Sequence, residues 1–434
     1  MQQTDPAQVI QHHNRNTIIN AFGEGMWGFA MAFHNISAVI PLFLAQLGAS
    51  PVIIGMIPGA FVLLIGLPQL LSVWRFRGTA DIKKVNIFMH VLTLPWMGMM
   101  VVWFFLLGMT GSTAILLYLV TFVAYSLTVG ALFPIWADFL AAVSLPRRRS
   151  RFFGITFATN AILGMVGGLV LKFILESEVF EFPRNYGFGF LIMFLATTTG
   201  TALFLLLKVI NPVDVASRIK DKMTSALKHI LVHDHNFRRY FYSRVFGAAS
   251  VMPLAFYAVY LNEKLQFSAG VAGEFTLFLV GGTAVFNFVF GLLGDRTSRK
   301  FVVTFFFIGH LLALLLTLVA TTPLVAHLVF VAIGMATGAM QSSFMVFIYE
   351  FAGESGDRKL YYAAMDSALA PVLFIYIMSA GKLVEWLGYG GLFSISIFLV
   401  MAGLAIFLFG VKKPEPQPVP ERNFDPSATD ATLI

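Results

Sequence analysis

The sequence predicts an all-α membrane protein of twelve transmembrane helices, built as two pseudo-symmetric six-helix bundles. Of its 434 residues, 58% are hydrophobic and only 12% charged, and the mean hydropathy is +0.81. Apolar stretches of membrane-spanning length recur along the whole chain, and the basic residues gather in alternate loops. A soluble domain carries about 25% charged residues, so lipid must be the solvent for most of this surface. The 46 Phe residues suit that setting, since Phe packs on acyl chains and needs no hydrogen bond.

A span requires roughly 20 mostly apolar residues. After a polar tail, 1–16, the first two spans fall near 17–45 and 51–73. The loop holding Arg75, Arg77, Lys83 and Lys84 separates them from spans near 85–107 and 114–143. Arg147, Arg148, Arg149 and Arg151 then precede spans near 152–175 and 188–210, which complete a bundle over 17–210. The polar segment 211–240 repeats Val215, Ile219, Met223, Leu227 and Leu231 at intervals of four. That spacing predicts an amphipathic linker helix on the membrane surface.

The second bundle, 241–411, holds spans near 241–261, 270–293, 301–321, 324–349, 361–384 and 389–411. Its basic loops contain Arg296, Arg299 and Lys300, then Arg358 and Lys359. The tail 412–434 is Pro-rich and is expected to be disordered. Among the 29 Lys and Arg, only Lys172, Arg184, Lys264 and Lys382 fall on the opposite face. By the positive-inside rule both termini are cytoplasmic. The net charge of +7 is thus an orientation signal, and no nucleic-acid partner is expected. No small-residue cleavage site follows the first apolar run, which reads as a retained helix.

The loop after the eighth span reads Gly291-Leu-Leu-Gly-Asp295-Arg296-Thr-Ser-Arg299-Lys300. It closely resembles the signature loop of the major facilitator superfamily: Gly, three residues, Asp-Arg, two residues, a basic pair. The halves echo each other as parallel repeats should. Asn20-Ala-Phe-Gly23 parallels Arg244-Val-Phe-Gly247, Ser50 and Gly55 parallel Ser268 and Gly273, and Asp138 parallels Glu350, each acid preceding a basic loop. The resemblance implies a latch, in which Asp295 faces a helix N-terminus while Arg296, Arg299 and Lys300 pair with acids on neighbouring helices; Asp138 and Glu350 read as latch partners of the basic loops that follow them or as substrate contacts. Two departures stand out: Arg77 occupies the place of the acid in the first-half loop, and the fourth span lacks the intramembrane Arg of many proton-coupled members.

Ionisable residues inside spans are costly and therefore mark candidate sites. Glu24 lies about 10 Å into the first span at 1.5 Å per residue. Gly28, Met31 and Asn35 share its helical stripe, flanked by Trp27 and His34. The resemblance implies that this stripe lines a central cavity, with Glu24 either a coupling site or a packing residue. Arg244 enters the seventh span at similar depth, as a partner for Glu24 or a snorkelling cation. Asp366, in the eleventh span, is a further partner, proton site or gate residue. Asn160, Asn287 and Gln341 supply interhelical hydrogen bonds or ligand contacts, whereas the resemblance implies that His90 and His310 lie outside the cavity, in packing or interfacial positions.

His229 and His233, with His235 nearby, have a spacing that suits zinc and equally a solvated loop, so no metal is assigned. Without a nucleotide-cradling motif or a catalytic constellation outside the spans, no cofactor and no enzymatic activity are expected. The expected function is secondary transport of a small organic solute by alternating access, proton-coupled through Glu24 with Asp366. The alternatives are a facilitator, an ion-coupled symporter, or a non-transporting sensor or lipid-handling protein. The expected partners are a small-molecule substrate, protons and membrane lipid, for a monomer in a bacterial cytoplasmic membrane.

Overall fold

A computed structural model describes residues 6–36, 39–177, 179–211, 222–267, 271–353 and 357–413. Nine stretches among them are long and apolar enough to cross a membrane. The last, Arg358–Gly410, comprises two spans, because Gly388 interrupts it at φ 67° and ψ 177°. Only glycine takes that backbone conformation without strain. The first and seventh spans complete the twelve, and both are broken helices.

The first span is helical over Pro6–Ala32 and again over Val39–Gln46. Between them the Asn35 carbonyl accepts the N–H groups of Val39 and Ile40, which starts the second segment. The seventh span runs His235–Gly247, a 3-10 turn Ala248–Val251, then Tyr257–Leu265. A single continuous helix was the sequence expectation for each, and a window of average hydropathy cannot register a turn inside an apolar run. The helix also begins at Pro6, within the expected tail. Asn16 is buried there, donating to the carbonyls of Val143 and Lys208 at 2.9 and 2.7 Å.

The described part of the linker contains a short helix, Met223–Lys228, and a π-turn, His229–His233. The positions Val215 and Ile219 and the tail 414–434 lie outside the described residues. Large apolar side chains cover the outer face, among them Phe22, Trp74, Phe173 and Phe409, each more than half exposed. On a soluble protein such a surface would aggregate; here it meets lipid.

Two large buried clusters show how the halves meet. One belongs to the first half alone and centres on Phe33, Phe43, Phe104, Tyr118 and Phe190. The other joins the first half's basic end, through Val73, Leu140, Phe152 and Phe153, to the second half, through Tyr240, Phe347 and Phe407. The halves therefore share one core at the end that bears the basic loops. At that end the fifth and eighth spans nearly touch. A Cβ on Gly154 would lie 2.4 Å from the Asn287 carbonyl oxygen, and one on Gly291 would lie 2.8 Å from the Gly154 Cα.

Candidate substrate cavity and gate

A cavity of about 400 Å³ lies between the halves. The second, fourth and fifth spans contribute Phe61, Gln69, Phe133, Trp136 and Phe157 to its wall. The seventh, tenth and eleventh contribute Arg244, Gln341, Phe344, Tyr362 and Asp366. Three of the sequence-predicted residues, Arg244, Gln341 and Asp366, thus face the space directly. Asp366 is engaged by Gln69 Nε2 at 3.4 Å, across the interface between halves, and by Tyr362 from its own helix. Arg244 is only 6% exposed, with its guanidinium carbon 4.5 and 5.0 Å from the ring centres of Phe306 and Phe344.

Glu24 stands one layer back. It is 5% exposed, and its Oε1 accepts a 2.6 Å hydrogen bond from Trp136 Nε1. Asn160 Nδ2 donates to the Glu24 backbone carbonyl at 2.7 Å, and Asn287 Nδ2 donates to Gln341 Oε1 at 2.6 Å. Both asparagines hold helices together behind the wall. Of the two readings of Arg244, the pairing with Glu24 is not formed.

The rest of the stripe turns elsewhere. Trp27 packs edge-on against His90 at 5.3 Å, Met31 accepts from the Tyr125 hydroxyl, and His34 meets Tyr118 at 3.0 Å among aromatic rings. Asn35 is exposed beyond the end of the helix. Periodicity of 3.6 assigns a common face only while the helix lasts, and this one stops at Ala32. His90 also packs edge-on against Phe204 and His310 against Phe306, both away from the cavity wall. Among the described residues no metal-holding cluster occurs, and the rings of His229 and His233 stack at 5.9 Å.

Below the cavity the basic end is shut. Asp295 accepts the N–H groups of Ser150 and Arg151, both at 3.0 Å, at the start of the helix Arg149–Glu176. Those amides have no partner within their own helix, so an anion there satisfies two donors and meets the positive end of the helix dipole. Arg299 lies 3.7 Å from Asp295 and 3.5 Å from Glu350, and donates to the Pro146 carbonyl at 3.1 Å. On the other flank Asp138 lies 3.4 Å from both Arg358 and Lys359, and Arg77 pairs with Asp357. Lys300 instead donates to the carbonyls of Leu408 and Val411 in its own half, and Arg296 is exposed.

Trp136, Gln69, Tyr362 and Asp357 had no role in the sequence reading. A tryptophan in an apolar span gives no sequence signal that separates a cavity wall from a lipid contact. The arrangement is two six-helix halves around a largely apolar cavity, ion-paired to each other at one end.

Residues 240–431 match the family model described as Major Facilitator Superfamily. The human organic anion transporter MFSD10 (TETRAN) has a similar structure, with a TM-score of 0.62 at 10% identity over 93% of this chain and 100% of that one. FucP, a major facilitator transporter in the outward conformation, gives a TM-score of 0.63 at 13% identity over 91% and 97%. No curated protein sequence matches the chain. The second half of the chain thus matches that family model by sequence, and the whole chain shares the fold of these two transporters; it is an integral, multi-pass membrane protein.

Proposed function

We propose that this transporter moves a small organic solute by alternating access, coupled to protons through Glu24, with Asp366 as a second acid on the path. The observation that carries the reading is the Trp136–Glu24 hydrogen bond, since one face of that tryptophan is cavity wall and its N–H holds a buried carboxylate. A solute that stacks on Trp136 perturbs Glu24 through a single bond. Glu24 is buried, and no ion pair to it occurs among the described residues. The basic end faces the cytoplasm by the positive-inside rule, and on that reading the closed latches shut the protein towards the cytoplasm.

The test is Glu24→Gln, which keeps size and hydrogen-bonding capacity and fixes the charge at zero. A thermal-shift screen of metabolites and drugs on the detergent-solubilised protein supplies the ligand. In proteoliposomes the variant should lose transport driven by a pH gradient, keep exchange at equal concentrations, and show a flattened pH dependence of binding. A well-folded variant with normal gradient-driven transport would remove Glu24 from the mechanism and leave Asp366 as the coupling acid.

A further inference from the structure

The cavity wall contains a cation, Arg244, whose hydrogen-bond donors are only partly met among the described residues. Arg244 is nine-tenths buried, and its Nε and Nη1 have no hydrogen-bond partner among the described residues. The aromatic faces of Phe306 and Phe344 attract the charge but accept none of those N–H groups in line. Enclosed donors without an acceptor carry their full desolvation cost, and a guanidinium cannot escape by losing its proton. Asp366 does not meet the need. It lines the same cavity, yet no ion pair joins it to Arg244, and it is engaged by Gln69 and Tyr362 instead.

Around this cation the wall is flat and apolar, formed by Phe61, Phe133, Trp136, Phe157 and Phe344. The space of about 400 Å³ lies within the range of pockets that enclose a drug-sized molecule. We infer that Arg244 is the anchor for the carboxylate of an organic monoanion whose aromatic or otherwise flat body stacks on Trp136 and the phenylalanines. The planar guanidinium offers parallel N–H donors that match the two oxygens of a carboxylate. One negative charge is the limit, because Asp366 in the same cavity repels a second.

This assignment rests on the reading of the cavity as the substrate site, and it is tested by binding rather than by transport so that the two can fail separately. Three probes share one body: naphthalene-2-carboxylate, naphthalene-2-carboxamide and naphthalen-2-ylmethanamine. Binding to the full-length protein in detergent is followed by tryptophan quenching and by calorimetry. The carboxylate should bind at least about tenfold more tightly than the amide, the scale of a charge-assisted hydrogen bond. Arg244→Gln should erase that preference while amide binding stays.

A second variant keeps Arg244 in place and so covers a failure of Arg244→Gln to fold. Asp366→Asn should admit naphthalene-2,6-dicarboxylate, which the native protein should reject. Equal binding of carboxylate and amide, a preference that survives in Arg244→Gln, or selection of the amine would each overturn the assignment, the last making Asp366 the anchor. If none of the three probes binds, the anion site is lost while Glu24-coupled transport stands on its own test.

Discussion

The two flanks of the closed end solve one problem with opposite polarity. On the flank of the fifth and eighth spans, the loop carries the acid, Asp295, and the facing helix supplies two bare N–H groups. On the flank of the second and eleventh spans, the loop carries Arg77 and the facing helix supplies the acid. That acid, Asp357, also caps its own helix by accepting from the Leu360 N–H at 3.3 Å. Either way one negative group sits between a loop and a helix N-terminus, where the helix dipole favours it. What differs is whether the loop or the facing helix carries it. The departure at position 77 therefore preserves the latch, with its charge moved across the interface.

The flanks differ also in burial. Asp138 and Lys359 are fully enclosed and Arg358 nearly so, whereas the side chains of Arg299 and Glu350 are each about one-fifth exposed. A buried ion cluster is weak evidence for net stability, but removal of one member strands the others without water. An exposed pair loses little when broken, because solvent replaces the partner. The enclosed flank is therefore the more sensitive to single substitutions, and the Asp295 flank bends the conformational balance instead.

The sharpest challenge to this contrast is Asp138→Asn, which leaves two buried cations facing an amide. The expected loss is about 3–5 kcal/mol, seen as a lower unfolding midpoint and lower yield in detergent. An unchanged midpoint would mean that water already reaches the cluster and that the two flanks are alike. Next in size is Arg77→Asp, which sets two acids against each other on the swapped flank and costs about 2 kcal/mol, the range of a hydrogen bond to a charged group. Adding Asp357→Ser should recover most of that loss. Ser is a good N-cap, and the new acid at position 77 then faces the helix start as Asp295 does on the other flank. A double variant no better than the single one would show that Arg77 and Asp357 do not form a polarity-swapped counterpart.

The sequence made some of this legible. Spans announce themselves because lipid demands long apolar runs, and the loop Gly291–Lys300 names its own geometry, an Asp that meets a helix N-terminus. The swapped partner was hidden for a physical reason: Arg77 and Asp357 lie 280 positions apart, and Asp357 reads as an ordinary acid in a polar loop. Glu24 was visible as a costly carboxylate, but its depth along the helix says nothing about which residue stands between it and the cavity. Trp136 does, and its N–H partner lies 112 positions away. The stripe through Asn35 failed because a backbone turn inside an apolar run leaves average hydropathy unchanged.

The gentlest test concerns Asp295 itself. Asp295→Asn keeps the shape of the side chain and one carbonyl acceptor, while it removes the charge that faces the amides of Ser150 and Arg151. The site is near solvent, with 14% of the Asp295 side chain exposed, so a cost of about 1 kcal/mol is expected. That cost falls only on the closed state, because the contact crosses between halves and no longer exists once they part. The ratio of closed to open molecules should then fall roughly fivefold, with the unfolding midpoint little changed. Spin labels on the basic ends of the fifth and eighth spans would report the shift as a growing population at longer distance. Asp138→Asn should behave the other way, losing midpoint first. If Asp295→Asn leaves the distance distribution as it was, the amide of Asn suffices at that helix start, and the signature loop acts there through shape rather than charge.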